Sequence, residues 1–242
     1  MDGLPSKVFE LLTRFEASSI LLVHWEIDLL KHLGCPLVSN EDLFFLIPDD
    51  QLQTARDITT ELGFHPADKQ QLKPVYASEF CDLGSRYIIN EHDSGELRYG
   101  PRQQRLVLLP LSWTGIDRHE LAPTSACDIK LPCTVWTVPI SVACTAFLRL
   151  AAREKRGSFA RTNIIDGLAS VIAYAFFNMS YEGDYMEFPE DAEPLSGREL
   201  SELDNAVREI QSWEFRPDEE WMKKAMIEVV SGKARYEDLP HC

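Results

Sequence analysis

The chain has 242 residues, 45% of them hydrophobic and 10% aromatic, enough for a substantial core in one large domain or two small ones. With 39 acidic against 24 basic residues, the formal charge of −15 argues against a protein that holds nucleic acid by broad neutralisation of phosphates. No run approaches the roughly 18 consecutive apolar residues of a membrane span, and the start MDGLPSKVFELL lacks the basic lead of a secretion signal; a cytoplasmic protein with no membrane partner is expected.

Residues 6–33 carry a helical pattern, as two helices or one bent one. In the second half Ile20, Val23, Ile27, Leu30 and Leu33 recur every three or four positions, which sets His24 four residues before Asp28 on another face. Gly34 follows where a helix C-terminal cap belongs. Residues 43–47, LFFLI, are continuously apolar between Asn-Glu-Asp and Pro-Asp-Asp, as in a strand buried on both faces. Asp49 or Asp50 is then placed to cap a helix over residues 51–62 with Leu52, Ala55, Ile58, Thr59 and Leu62 inward, and Gly63 closes it.

The middle third reads as strands at residues 87–90, 96–99, 106–111 and 134–138, with His92-Asp93-Ser94-Gly95 as a hairpin turn. From Pro139 the pattern is helical again, with an apolar face on Val142, Ala143, Ala146, Phe147 and Leu150. A further helix spans residues 162–177 and is apolar nearly all round. An acidic, proline-bearing loop over 180–194 precedes helices at 196–213, where Ser196 and Glu199 have capping-box spacing, and at 217–230, where Pro217 suits the first turn. The fold class is α/β (α+β): a mixed sheet flanked by helices over residues 1–138, and a helical region over 139–242 packed on that core.

Six cysteines are scattered without CxxC spacing, which predicts reduced thiols and no zinc site. The tryptophans Trp113, Trp136, Trp213 and Trp221 are expected to anchor packing. Glu91-His92-Asp93 and Asp117-Arg118-His119-Glu120 each offer an imidazole among carboxylates, but no G-x-S-x-G or other nucleophile signature accompanies them.

The stretch HLGCPLVSNEDLFFLIPDDQLQTARDITTELGF, residues 32–64, resembles the core of the nucleotidyltransferase superfamily, in particular small nucleotidyltransferase-like proteins of fungi. The later TVWTVPISVACTAFLRLAARE is similar to the strand and long helix of that group. The resemblance implies a transferase of fungal specialised metabolism, with a nucleotide or small-molecule substrate and Mg²⁺ held by carboxylates at i and i+2 of one strand plus a third from a neighbour. It points to Asp42, Glu41 and Asp117 as catalytic acids and to Asp42 as the metal ligand. The pattern departs from an active enzyme in two places: the phosphate-cradling glycine pair is Gly34-Cys35, and acid-x-acid is Asp42-Leu43-Phe44. The metal site is partly eroded, and the bland alternative is that these acids solvate a strand end.

The one basic concentration, RLAAREKRGSFAR over 149–161, places Arg149, Arg153 and Arg156 on one face if the helix continues, as a site for a nucleotide phosphate or for tRNA. Its alternative is pairing with the acidic segment 181–220. Two further functions are open: an aminoacyl-tRNA-dependent enzyme that forms peptide bonds as a cyclodipeptide synthase does, and a non-catalytic scaffold whose acidic helices bind a basic partner.

Overall fold

The computed structural model describes residues 5–36, 42–67, 83–89, 104–124, 131–177 and 197–241. The strand proposed at 96–99, the turn at 92–95, the loop at 180–194 and the capping residue Ser196 lie outside these residues, as do His92 and Glu41. The chain forms two compact units: Met1–His32 with Leu37–Pro139, and Leu33–Pro36 with Ile140–Cys242. No helix among the described residues is long and apolar enough to cross a membrane.

In the first unit, α1 (Ser6–Ala17), β1 (Leu22–His24), α2 (Glu26–His32), β2 (Leu43–Ile47), α3 (Asp49–Glu61), β3 (Ser85–Ile88), β4 (Arg105–Pro110), β5 (Ala122–Pro123) and β6 (Val135–Thr137) follow in order. The strands make one mixed sheet in the order β3-β4-β2-β1-β6-β5, so the expected mixed sheet flanked by helices is present. The central pair β2 and β4 is parallel, register Leu43 to Leu106 through Ile47 to Pro110, while β1 runs antiparallel to β2 and parallel to β6.

Alternation along the strands sends Leu43, Phe45, Ile47, Leu106 and Leu108 to one face, against Val8, Leu11, Leu12 and Phe15 of α1 and Leu52 and Ala55 of α3. Phe44, Leu46, Val107 and Leu109, of the opposite parity, are buried as well. That double burial is why β2 and β4 read as unbroken apolar runs. Each such side chain fully removed from water contributes roughly 1.5–3 kcal/mol. Gly84, just before β3, lets that strand close on β4: a Cβ there would stand 2.7 Å from the Leu108 carbonyl oxygen and 2.6 Å from Leu109 Cδ2.

Two expectations need correction. Residues 6–33 are not helical throughout, because Ser19 adopts φ +54° and the apolar run after it enters the sheet as β1. Short apolar runs satisfy helical and extended periodicity alike, and a central place in the sheet decided this one. Nor do Asp49 and Asp50 cap α3. Pro48 occupies the N-cap with no side-chain cap bond, and both acids lie in the first turn, where negative charge suits the helix dipole.

The second unit is helical as expected: α4 (Ile140–Arg153), α5 (Phe159–Phe176), α6 (Gly197–Ser212) and α7 (Glu220–Val230). Ser158 caps α5 by accepting from the Arg161 backbone N–H at 3.2 Å. Gly167 of α5 faces the Phe147 ring of α4, with room for no more than close contact, since an added Cβ would lie 3.0 Å from that ring. Trp213 is buried and meets Phe176 and Phe215 at tilted angles.

Candidate functional site

The candidate site is built around Asp42, the residue before β2. Register places Leu43 beside Leu106, so Asp42 stands beside Arg105, the first residue of β4. The two parallel strands thus start with opposite charges side by side. The Arg105 backbone N–H donates to Asp42 Oδ1 at 2.8 Å, while Nε and Nη2 donate to Oδ2 at 3.0 and 2.5 Å. Arg105 is 3% and Asp42 7% exposed, so the pair is out of water. The Arg105 guanidinium also lies over the Phe44 ring, 5.4 Å from its centroid. Phe44, two residues on from Asp42, is thus a platform for the arginine.

This arrangement does not fit Mg²⁺. Both Asp42 oxygens already accept hydrogen bonds from Arg105, Oδ1 from its backbone N–H and Oδ2 from its buried guanidinium, and turning them to a metal would leave that cation uncompensated. Asp117 is no closer to supplying a partner. It follows β4 and accepts from the Glu120 backbone in a capping box around the 3-10 turn Arg118–Glu120, while Glu120 Oε2 accepts from the Asp117 N–H at 2.7 Å. That turn is tied to the far end of β2, since Arg118 pairs with Asp50; so is the preceding 3-10 turn Leu111–Thr114, where Asp49 accepts from the Ser112 N–H at 3.1 Å and its hydroxyl at 2.6 Å. The length of β2, roughly 16 Å for five residues at the extended rise, separates this end from Asp42. Among the described residues no group of three or more His, Cys, Asp or Glu is arranged to hold a metal ion.

The structure disperses the basic cluster. Arg149 is buried and bidentate to Glu219, Nε to Oε1 at 2.6 Å and Nη2 to Oε2 at 2.8 Å, so it pairs with the acidic segment rather than with a ligand. Hydrogen bonding from Arg149 holds the Glu219 carboxyl below its usual range. Arg161 is buried too, donating to the carbonyls of Ala151, Leu239 and Pro240, which fastens the chain end onto α4 and α5. The helix stops at Arg153, and Gly157 at φ +77° turns the chain, so Arg156 does not continue the face; it is exposed and lies 4.0 Å from Asp238. Arg153 is exposed at the helix end.

His24 is a second correction to the helical reading. It is 3% exposed on β1, its ring stacked on Phe45 with centroids 6.2 Å apart, instead of on a helix beside Asp28. Burial, with a smaller contribution from His32, lowers its pKa to about 4. Its Nδ1 makes no hydrogen bond, and neither does the buried hydroxyl of Thr137, which the parallel β1 and β6 register sets beside it. His119 is exposed in its 3-10 turn.

Arg105 is the residue the sequence reading missed. A signal was there: Asp-LFFLIP and Arg-LVLLP share one pattern, a charge followed by an apolar run and a proline, as two parallel neighbours starting level would. Together the fold and site define a mixed α/β protein with a six-stranded sheet and a charge pair sealed at the start of its central strands. No family model, no curated protein and no solved structure matches this chain.

Proposed function

We propose that the chain is a non-catalytic binding protein on a nucleotidyltransferase-like scaffold, a pseudo-enzyme whose metal-site carboxylate has become a structural ion-pair partner. The observation that carries this reading is the state of Asp42, whose two oxygens are engaged by buried Arg105. Support also comes from Phe44 at the position of the second acid, packed under the Arg105 guanidinium. A protein of charge −15 with exposed acids at Asp204, Glu209, Glu214, Asp218 and Glu220 suits a basic partner. Neither the tRNA reading nor the phosphate reading gains from Arg149 and Arg161, both of which spend their donors inside the second unit.

Thermal melting with Mg-ATP, Mg-CTP and Mg-GTP tests this directly, because a ligand of the folded state raises Tm by mass action. The expected result is no nucleotide-dependent rise, and a melting temperature that falls in Asp42→Asn without any ligand present. A Mg²⁺-dependent rise with one nucleotide, lost in a folded Asp42→Asn variant, would restore catalytic nucleotide transfer as the function.

A further inference from the structure

At one margin of the first unit, the start of α1, the turn leaving α3 and the end of β3 border an open cavity of about 330 Å³. Lys7, Phe64, His65, Ala67, Ile88 and Ile89 line it, and its volume falls within the range of small-molecule sites. Gly63 takes φ +74° and turns the chain out of α3, so that Phe64 is buried while His65 stays exposed. The next two residues run along β3, Pro66 bridged to Tyr87 and the Ala67 N–H bonded to the Arg86 carbonyl at 2.7 Å. Strand β3 then brings half-buried Ile88 and buried Ile89 to the lining.

Lys7 brings the charge. Its Nζ donates to the Gly63 carbonyl at 3.1 Å and lies 4.5 Å from the centroid of the Phe64 ring, which holds the ammonium at the cavity. Among the described residues it pairs with no carboxylate, although the chain carries 39 acids; Glu10 of its own helix and Glu61 of α3 both turn to Arg14. The Gly63 carbonyl uses one of three N–H donors, and the others are open to a ligand. The helix adds to the same field: the first turn of α1 has no acid and its N-cap, Pro5, makes no side-chain cap bond, so the positive end of the dipole stands beside the Lys7 charge.

A fixed cation next to an apolar lining suits a molecule with one negative end and a hydrocarbon body. A neutral apolar molecule would leave the ammonium without a counter-charge, and a dianion would meet one lysine in a chain of charge −15 and make no use of the isoleucines. With Lys7 over the Phe64 ring, that ring is not offered for stacking, so the isoleucines favour an aliphatic body. We propose that this cavity binds a small aliphatic monocarboxylate, its carboxylate on Lys7, with the His65 ring N–H as a second donor, and its hydrocarbon chain against Ile88 and Ile89. The site shares no residue with the Asp42–Arg105 pair and does not depend on how that pair is read.

Nitrogen–proton correlation spectra of the whole chain test it. Hexanoate is expected to move the backbone amides of Gly63, His65, Ala67, Ile88 and Ile89 saturably, with a Kd on the order of 1 mM. Hexanamide, which keeps the shape without the charge, should bind about fivefold more weakly, and inorganic phosphate should give no saturable change at these amides. Lys7→Met should weaken hexanoate about fivefold and leave hexanamide unchanged, a difference that a merely structural lysine would not produce. Ala67→Leu, at a half-buried position, fills the cavity and should remove the response to both with Lys7 intact. The comparison of hexanoate with hexanamide is made on the parent chain and stands even if a variant does not fold. No saturable change with hexanoate, or an undiminished response in a folded Ala67→Leu protein, overturns the site. Equal binding of hexanoate and hexanamide, tighter binding of phosphate, or unchanged hexanoate affinity in Lys7→Met overturns the assignment to a monocarboxylate.

Discussion

Removing the Asp42 carboxylate separates a structural ion pair from a metal ligand, because the two roles predict opposite losses. In Asp42→Ala, Arg105 keeps a full charge at 3% exposure, and its backbone N–H and guanidinium lose the acceptor of three hydrogen bonds. At an effective permittivity of about 20 and a charge separation of about 4 Å, Coulomb's law gives roughly 4 kcal/mol for the pair. Measured costs of breaking one partner of a buried pair are of the same order, about 3–5 kcal/mol. For a chain of this length that corresponds to a fall in Tm on the order of 10 °C. Replacing both partners, Asp42→Leu with Arg105→Met, removes the uncompensated charge and should recover most of the loss, giving a coupling energy of about 3 kcal/mol. Urea unfolding of the four proteins, followed by tryptophan fluorescence, supplies the cycle. If Asp42→Ala unfolds within about 0.5 kcal/mol of the parent, the ion-pair account of this residue is wrong.

His24 supplies a pH-dependent counterpart. Its folded pKa of about 4 lies below the ordinary 6.5, so the unfolded chain takes up a proton first; stability is full above pH 6.5 and is lost as pH falls from there to about 4. At 1.36 kcal/mol per pH unit the loss is roughly 3 kcal/mol, and a His24→Phe variant whose stability keeps the same slope in that window would rule it out. Arg149→Met should cost about 3 kcal/mol by stranding the Glu219 carboxylate. Because that carboxyl's folded pKa is depressed from 4.5, its contribution is present above that value and lost as pH falls below it; acid titration of the variant should lack this component. Gly84→Ala should destabilise by about 1–3 kcal/mol, since the added Cβ would stand 2.7 Å from the carbonyl oxygen of Leu108, a backbone position paired with Ser85, and a neutral result in differential scanning calorimetry would contradict the packing described.

Strand β2 and helix α3 were legible because local signals agreed: an unbroken apolar run, a proline stop, acids in the first turn and a glycine at φ +74° after the last. Strand β1 was not, since Leu22 to His24 is only three residues long and its pairing with β2 and β6 comes from distant parts of the chain. The site failed for the same reason. Asp42 stands out in the sequence as the expected metal ligand, but its partner in the fold sits 63 residues away and is set by strand register. For Arg149 the alternative of pairing with the acidic segment was already in view, and Glu219 supplies it.

Among the described residues, the two outermost strands of the sheet share a property with implications for handling the protein. On the side of β3 away from β4 runs the segment at Pro66, bridged to Tyr87, with the Ala67 N–H bonded to the Arg86 carbonyl at 2.7 Å. At the opposite margin β5 is only two residues long and ends in Pro123. A proline cannot donate to an incoming strand, so both margins resist the edge-to-edge stacking that leads to aggregates. Substitutions that restore an N–H at Pro66 or Pro123 would therefore leave the fold's own contacts nearly untouched and yet lower the concentration at which the protein stays in solution.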